Sequence, residues 1–359
     1  MSLYSKIQIH LPVRWCLRRP PAQEASKQVL LICDDALGDV LIMSGLVRQV
    51  KAYGWSPTLI IRDTWQDFAP FLWADDVLPV NIPLYKTSLR YRIEFLNKVR
   101  QKKYEWAAAS LLLSGVSANI LGNCGAPVRY AYCREGLKKK RLWGANKIIP
   151  ALPWKQSPTQ YTDILQLWSH YYSGVLGQTL EGAQVAPSLQ IKQPPEVFAG
   201  LEPGKYIHYI LDTADAIRQY PPEKLLPLLG AYGQKHGLHV AVTAKDPCPA
   251  VKTCPNVTDL TGKTSLKQLW QIIYHARGVV GNETGSTHLA WILHKPTVML
   301  YGGGHNGLFR PAPCCQVLKH PMPCFGCSWT ACTYKQFPAP CVQGIAPVQI
   351  EEALEKICK

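Results

Sequence analysis

Short runs of branched apolar residues alternate with segments of helical periodicity along this 359-residue chain. Residues 28–33 (QVLLIC) form an uninterrupted apolar run, which is typical of a buried parallel strand. Residues 40–53 then place apolar side chains at helical spacing, and Gly54 is a natural helix stop. Residues 58–62 (TLIIR) predict the next strand. The order strand, helix, strand indicates a βαβ opening.

The same alternation recurs more regularly in the second half of the chain. Apolar runs there predict strands at 206–211, 238–244, 277–281 and 297–301, and periodicity predicts helices at 223–236, from 265, and at 286–294. In the first half, a further strand is predicted at 106–113. Ser265 and Gln268 have the spacing of a capping box. Proline and glycine are concentrated over 186–204, which places a domain boundary there.

The predicted fold class is therefore α/β, with two Rossmann-like, doubly wound domains that face each other across a central cleft. The chain divides into a basic extension, a first domain, a second domain that includes a cysteine-rich loop at 314–341, and a terminal helix; their bounds are 1–27, 28–190, 200–345 and 346–359.

Composition narrows the class of protein. Hydrophobic residues make up 47% and charged residues 18%, which is enough apolar material for two cores. No apolar run reaches the roughly 18–20 residues that span a bilayer. The apolar stretch within residues 1–27 is broken by His10, Pro12 and Arg14, unlike a signal peptide. These features predict a cytoplasmic protein.

The formal net charge of +15 favours anionic partners, namely nucleic acid, an anionic membrane surface or a phosphorylated substrate. Much of the charge lies in two basic clusters, at 86–103 and 134–147. Solvated helix and loop faces explain such clusters equally well. Aromatic residues interleave the first cluster, which suits base stacking or an amphipathic helix.

Residues 281–288 (GNETGSTH) follow a predicted strand and open a predicted helix. Thr284, Gly285 and Ser286 therefore lie at a helix N-terminus, where free backbone N–H groups and the helix dipole favour an anion such as a diphosphate. Gly285 allows close approach of the backbone, and His288 is within reach of the same anion. Ordinary N-capping beside a buried histidine is the structural alternative.

Two further charged residues follow strand ends. Asp39 lies at a helix start after the first strand, where a carboxylate can take a proton from an attacking hydroxyl or simply cap the helix. Asp34 and Asp35 are rival carboxylates on the same turn. Arg218, after the strand at 206–211, places a fixed positive charge where a phosphate would lie, or is a surface arginine before a helix.

Taken in order, five motifs resemble glycosyltransferase family 9, the bacterial ADP-heptose–lipopolysaccharide heptosyltransferases and their relatives. The motifs are GDVL (38–41), RxYP (218–221), LTGKTSL (260–266), GNETGSTHLA (281–290) and KPTVMLYG (295–302). The resemblance runs from about residue 28 to the C-terminus and is strongest over 257–303. It implies a GT-B fold and an inverting, metal-independent transfer.

The resemblance also implies roles for individual residues. Asp39 matches the aspartate that deprotonates the acceptor hydroxyl. Six positions match the donor site: Arg218, where the family usually has a lysine on the donor phosphates; Thr264, near the adenine; Glu283, where many members have an aspartate that meets the donor sugar; and Thr284, Gly285 and His288, in the phosphate loop.

The chain departs from the family pattern at two places. Residues 211–215 (LDTAD) replace a glycine- or threonine-rich turn, and only Thr213 matches it well. Two carboxylates near a phosphate site are unfavourable by charge. Glu283 for aspartate lengthens a sugar contact by one methylene. These departures leave the exact donor sugar open.

Six of the 13 cysteines lie between residues 314 and 341. Cys324, Cys327, Cys332 and Cys341 offer four thiolates, which suits a tetrahedral structural site for zinc or iron. Many family members resemble the chain here, and in some protein-glycosylating relatives the segment binds iron. Free or disulfide-paired thiols are the alternative, because the spacing is irregular for a zinc ribbon. No cofactor is expected for catalysis.

The resulting hypothesis is transfer of a sugar, a heptose from ADP-heptose, to a hydroxyl of lipopolysaccharide core or a related surface glycan. The basic clusters would hold the protein against the anionic inner face of the inner membrane. A protein heptosyltransferase acting on autotransporter adhesins is the alternative within the class. A nucleic-acid-binding protein would explain the charge but not the ordered motifs, and a non-catalytic relative of the same fold is a third possibility.

Overall fold

The computed structural model describes residues 16–17, 27–133, 139–153, 162–211, 213, 215–305, 307–309, 311–327, 332–334 and 338–358. The chain divides into two compact units of similar size. The first unit holds the described residues through 153 together with 165–190, and the second holds 162–164 and 191–358.

The first unit is built on a six-stranded parallel sheet with the order β3-β2-β1-β4-β5-β6. Its strands are β1 Gln28–Cys33, β2 Ser56–Arg62, β3 Asp76–Val80, β4 Trp106–Ala109, β5 Val128–Cys133 and β6 Lys147–Pro150. Residues 29–33 of the central strand β1 are fully buried, as expected for a parallel strand covered on both faces.

Five helices accompany this sheet: α1 Leu37–Ala52, α2 Ile82–Thr87, α3 Leu89–Val99, α4 Gly115–Asn123 and α5 Ile164–Leu176. Helix α1 begins at Leu37, three residues earlier than its apolar periodicity predicts. Its N-cap residue, Ala36, makes no side-chain capping hydrogen bond. Asp39 therefore lies inside the first turn of α1 and does not cap it. A carboxylate in that turn interacts favourably with the helix dipole.

The second unit repeats the architecture with a parallel sheet of order β12-β11-β10-β7-β8-β9. Its strands are β7 Tyr206–Ile210, β8 His239–Thr243, β9 Val257–Asp259, β10 Gly278–Asn282, β11 Thr297–Leu300 and β12 Cys315–Leu318. Its helices are α6 Pro222–His236, α7 Leu266–His275, α8 Gly285–Ile292, α9 Pro340–Gln343 and α10 Pro347–Ile357. The capping box of Ser265 and Gln268 is present at the start of α7.

Read from the first strand of each unit, both sheets have the Rossmann order 3-2-1-4-5-6. The predicted fold class of two Rossmann-like α/β units is thus confirmed. In such sheets the order reverses between the first and fourth strands, and ligands bind beyond the carboxyl ends of those strands. These positions follow β1 and β4 in the first unit, and β7 and β10 in the second.

Within the described part of the chain, no helix combines the length and hydropathy needed to cross a bilayer.

Candidate functional site

Glu283 is the centre of a buried polar cluster at the carboxyl end of β10. Its Oε1 lies 3.1 Å from His288 Nε2, and its Oε2 lies 3.0 Å from both Arg218 Nη1 and His305 Nδ1. Arg218 Nη1 also donates to the backbone oxygen of Glu283 at 3.2 Å. Only 6% of the Glu283 side chain is exposed, so both carboxylate oxygens are committed to these partners. The structure thus brings together Arg218, Glu283 and His288, which were predicted separately from the sequence.

The charge state of Glu283 follows from this geometry. Burial acts to raise the pKa of the carboxyl group, but hydrogen bonds from His288 and His305, together with positive charge at His305, outweigh it and hold the pKa well below its usual range. Glu283 is therefore ionised at neutral pH, and it offsets the charge of Arg218.

Trp291 fixes the tautomer of His288. Its indole Nε1 lies 2.9 Å from His288 Nδ1. Because an indole N–H can only donate, Nδ1 must accept and the imidazole proton must lie on Nε2, facing Glu283. Phe309 packs against the rings of both His288 and His305, with centroid distances of 4.7 and 5.9 Å. The His288 ring is thus held in orientation and protonation from three sides.

Helix α8 begins directly beside Glu283. Thr284 is its N-cap, and the Thr284 hydroxyl accepts from the backbone N–H of Thr287. Among the described residues, none accepts a hydrogen bond from the backbone N–H of Gly285 or Ser286. Two orphan donors at a helix N-terminus are suited to an anion. The predicted phosphate loop therefore has both a cap and two unused donors.

Asn282 connects β10 to the loop that carries Arg218, and sequence analysis missed it. It ends β10 and is fully buried. Its Oδ1 accepts from the backbone N–H of Tyr220 at 2.7 Å, and its Nδ2 donates to the backbone oxygen of Leu211 at 2.8 Å. The loop that carries Arg218 is thereby anchored at both ends to the strand that carries Glu283.

His305 was also missed, although the chain contains a signal for it. It follows β11 in the glycine-rich stretch 302–304, and β11 neighbours β10 in the sheet. Carboxyl ends of adjacent parallel strands meet at one edge, so a polar residue just after β11 belongs beside Glu283. The hydroxyl of Tyr301 donates to the backbone oxygen of His305 and fixes that loop.

Two other predicted donor residues lie apart from the Glu283 cluster. Thr213 is in a local turn, where its hydroxyl donates to the Asp215 backbone oxygen and accepts from the Asp215 N–H. Asp212 and Ala214, the rest of the predicted turn, fall outside the described residues. Thr264 is half-buried in the turn between β9 and α7, and it shares no hydrogen bond with the cluster in the described chain.

In the first unit, three carboxyl groups follow β1. Asp34 is buried and accepts from the hydroxyls of Ser114 (2.5 Å) and Ser117, at the start of α4. Asp35 is also buried, with 6% exposed. Asp39 is half-buried in the first turn of α1. Of the three carboxylates, Asp39 is therefore the most exposed.

The four cysteines predicted as metal ligands lie near one another. Burial raises the pKa of the Cys341 thiol, and repulsion from Cys324, Cys327 and Cys332 adds to that effect. The backbone N–H of Gly303 donates to Cys341 Sγ at 3.4 Å and opposes it. Within the described residues, no three side chains are arranged to hold a metal ion. The chemistry of the thiols fits a soft metal, whereas their present arrangement does not form a coordination shell.

Part of the first basic cluster has a structural role. Arg92 is fully buried and donates twice to the backbone oxygen of Tyr85, and Lys102 pairs with Asp76 at 2.7 Å. Arg90 is exposed and pairs with Glu94. Residues 134–138 of the second cluster, and the basic extension apart from residues 16, 17 and 27, lie outside the described residues.

Residues 175–327 match the family model described as Glycosyltransferase family 9 (heptosyltransferase). The resemblance to glycosyltransferase family 9 is confirmed. The matched segment includes Arg218, Glu283, His288 and His305, whereas Asp39 lies before it. A search of the curated proteins finds no match.

Solved structures share the fold over nearly the whole chain. A family 9 glycosyl transferase from Veillonella parvula is 15% identical, covers 93% of this chain and 97% of its own, and has a TM-score of 0.70. The ADP-heptose lipopolysaccharide heptosyltransferase II of E. coli is 17% identical, with 92% and 98% coverage and a TM-score of 0.68. The iron-containing dodecameric glycosyltransferase TibC of enterotoxigenic E. coli is 13% identical, with 95% and 79% coverage and a TM-score of 0.52. At these identities the likeness establishes the GT-B fold.

Proposed function

We propose that this chain is an inverting, metal-independent glycosyltransferase that transfers a heptose from ADP-heptose to a hydroxyl of lipopolysaccharide core or a related surface glycan. The observation that carries this proposal is the Glu283 cluster at the N-terminus of α8, because it lies inside the segment that matches family 9. The name of the E. coli relative supports the choice of donor and acceptor.

The donor diphosphate is assigned to Arg218 and the start of α8. Glu283 holds one guanidinium nitrogen, Nη1, at 3.0 Å. Among described residues, none accepts from Nε or Nη2 of Arg218, so two donors are left for phosphate oxygens in the forked geometry that arginine favours. The free N–H groups of Gly285 and Ser286 add to them. These groups stabilise the charge that grows on the departing diphosphate.

Asp39 is assigned as the general base. Its carboxylate takes the proton of the acceptor hydroxyl while that oxygen bonds to the anomeric carbon of the donor. The bond from that carbon to the diphosphate oxygen breaks, and its electron pair leaves with ADP. Attack opposite the leaving group inverts the anomeric centre.

A thermal-shift screen with ADP, UDP, GDP and their sugars tests the donor assignment. A ligand that binds the native state stabilises it by mass action and so raises the melting temperature. The free energy of unfolding increases by about 2.7 kcal/mol at a ligand concentration one hundredfold above Kd. We expect ADP and ADP-heptose to stabilise the protein and Arg218→Ala to abolish the effect. Arg277→Ala is the matched control, because Arg277 is an exposed arginine of the same unit whose side chain donates to the Cys358 backbone oxygen and to no other group in the described residues. Stabilisation by UDP or GDP instead of ADP would contradict the donor.

A protein heptosyltransferase with a structural metal is the second candidate. Proximity of Cys341 to three other thiols favours it, as does the likeness to an iron-containing glycosyltransferase. In that case Cys324, Cys327, Cys332 and Cys341 hold zinc or iron and brace the loop that follows β12. Metal analysis of the purified protein and of Cys341→Ser tests this. Less than one-tenth of an equivalent of metal in both would reject it.

The membrane assignment rests on charge. Exposed basic residues of the first basic cluster, such as Lys86, Arg90 and Lys98, would bind the anionic inner face of the inner membrane from the cytoplasm. Sedimentation with vesicles containing anionic lipid, compared with neutral vesicles, tests it. Salt-sensitive binding to duplex DNA without any response to nucleotide sugars would instead favour a nucleic-acid-binding protein.

A further inference from the structure

Asp35 is a buried acid in the turn that carries the assigned base. It lies two residues beyond β1 and four residues before Asp39, and only 6% of it is exposed. The glycosyl transfer outlined above gives it no role. A carboxyl group at such a position needs an explanation, because a buried charge without a partner is among the costliest groups in a fold.

The Asp35 carboxylate has no counter-ion within the described part of the chain. In the described residues no lysine, arginine or histidine pairs with its carboxylate. The positive charge of Arg62 on β2 acts on Asp35, but its Nε donates to the backbone oxygen of Asp34 at 2.6 Å. Cys33 Sγ approaches Asp35 Oδ2 at 3.8 Å and is a weak donor. Asp34, by contrast, is satisfied by two serine hydroxyls.

Two carboxylates near Asp35, those of Asp34 and Asp39, are negatively charged. Burial raises the pKa of Asp35 to about 7, and repulsion from Asp39 on α1 and Asp34 on the same turn adds to it. The hydroxyl of Ser110, after β4, and the charge of Arg62 act in the opposite direction but do not offset burial. Asp35 therefore changes its protonation close to physiological pH, where an unperturbed aspartate would be ionised.

We propose that Asp35 is a positioning residue for Asp39, and that the proton on Asp35 sets the strength of Asp39 as a base. This rests on the proposed function, in which Asp39 deprotonates the acceptor. While Asp35 keeps its proton, it is a neutral neighbour. When Asp35 loses it, the new negative charge repels the charge on Asp39 and favours proton uptake there. The proton of the acceptor hydroxyl goes to Asp39 in both cases, and Asp35 exchanges its own proton with solvent.

The pairing has a chemical logic. Two carboxyl groups whose environments differ, one buried and one half-exposed, can hold different protonation states at one pH and so take different roles. Serine or asparagine at position 35 would fill the same space without the cost of a buried acid. Aspartate differs from these residues in that it titrates, and the negative charge that it gains acts on Asp39.

The pH dependence of kcat in the wild type, Asp35→Asn and Asp67→Asn tests the proposal. Asp67 is an exposed carboxylate in the 3₁₀ helix Asp63–Phe71 of the same unit, and its variant is the matched control. We expect kcat of the wild type and Asp67→Asn to rise roughly threefold or more as pH increases through about 7, as a stronger base speeds proton transfer. Asp35→Asn should lack this rise and be slower by the same factor at pH 8.5. A rise in Asp35→Asn that matches the wild type, or a folded Asp35→Asn without activity at any pH, would overturn the proposal.

A second measurement does not depend on activity. Carboxyl ¹³C NMR should show Asp35 titrating near pH 7 in the wild type and at lower pH in Asp39→Asn, which removes the repulsion. Titration of Asp35 near pH 4 in the wild type would overturn the proposal. If no donor supports transfer but the NMR coupling is present, the proposed function fails while the link between the two carboxyl groups stands.

Discussion

Replacing Glu283 by glutamine removes one negative charge from the centre of the Glu283 cluster while keeping the shape of the side chain. In the native protein Oε2 accepts from Arg218 and His305, and Oε1 accepts from His288 Nε2–H. A glutamine amide would present an N–H to one of these donors. The His288 tautomer cannot change to accommodate it without breaking the Trp291 bond.

The expected cost follows from the contacts. Removing one partner of a buried ion pair costs about 3–5 kcal/mol. Arg218 is 18% exposed and keeps its bond to the Glu283 backbone oxygen, so we expect the lower end, about 3 kcal/mol. Because the native pKa of Glu283 is depressed, its contribution is complete above the unfolded value of about 4.3 and is lost as pH falls through the lower native value.

Urea unfolding at pH 7, followed by tryptophan fluorescence, measures this cost. Glu283→Gln should lower the unfolding midpoint by about 1 M, given an m-value of about 3 kcal/mol per M. Glu355→Gln is the control, because Glu355 pairs with Lys235 and His236 at the solvent-exposed surface, and its loss should leave the unfolding midpoint nearly unchanged. Equal midpoints for Glu283→Gln and the wild type would refute the view that Glu283 holds the cluster together.

Three further outcomes are expected. Burial lowers the pKa of His208 to about 3. The stability that neutral His208 contributes is complete above pH 6.5 and should fall by about 1.4 kcal/mol per pH unit as pH drops toward 3. His208→Asn should reduce that slope, and equal slopes in the variant and the wild type would count against this prediction. Gly45→Ala should destabilise the first unit by about 3 kcal/mol or more, because the added Cβ would lie 1.9 Å from the Ala186 backbone oxygen. Gly115→Ala, where the Cβ would meet open space, should be neutral or stabilising by about 0.5 kcal/mol. Similar melting temperatures of the two variants would contradict this prediction. Asn282→Ala loses two buried hydrogen bonds, and this loss should lower the free energy of unfolding by about 2–4 kcal/mol. It should also weaken the ADP-induced thermal shift, because the loop that carries Arg218 loses its anchor. An unchanged response to ADP would show that this loop is not part of the donor site.

Periodicity was sufficient to predict the fold class, because the apolar runs coincide with parallel strands that are buried on both faces. The first and fourth strands of each sheet, β1, β4, β7 and β10, all have such runs. Boundaries were less predictable. Helix α1 starts before its apolar stripe because Leu37 is itself buried. The run at 106–113 continues past β4, which ends at Ala109, because Leu111 and Leu113 are buried outside the strand.

The Glu283 cluster, which we propose as part of the donor site, was predicted in part. Arg218, Glu283 and His288 stand out by charge and motif, and they converge in the structure. Asn282 and His305 complete the cluster through contacts between strands that are distant in sequence, which local pattern alone does not reveal. The resemblance implies a sugar contact for Glu283, which stays a prediction; in the structure both of its carboxylate oxygens bond to protein groups.

Heptose transfer by purified wild-type protein and Asp39→Asn is the most direct test of the central claim. The assay follows ADP release and product formation from ADP-heptose and a lipopolysaccharide acceptor that lacks heptose. We predict transfer by the wild type, and a folded Asp39→Asn variant that still gives the ADP-induced thermal shift but loses transfer by a hundredfold or more (~10²–10⁴). Transfer by Asp39→Asn at the wild-type rate would contradict the assignment of the base. Absence of transfer by the wild type with ADP-heptose, alongside turnover of another nucleotide sugar, would contradict the assignment of the donor.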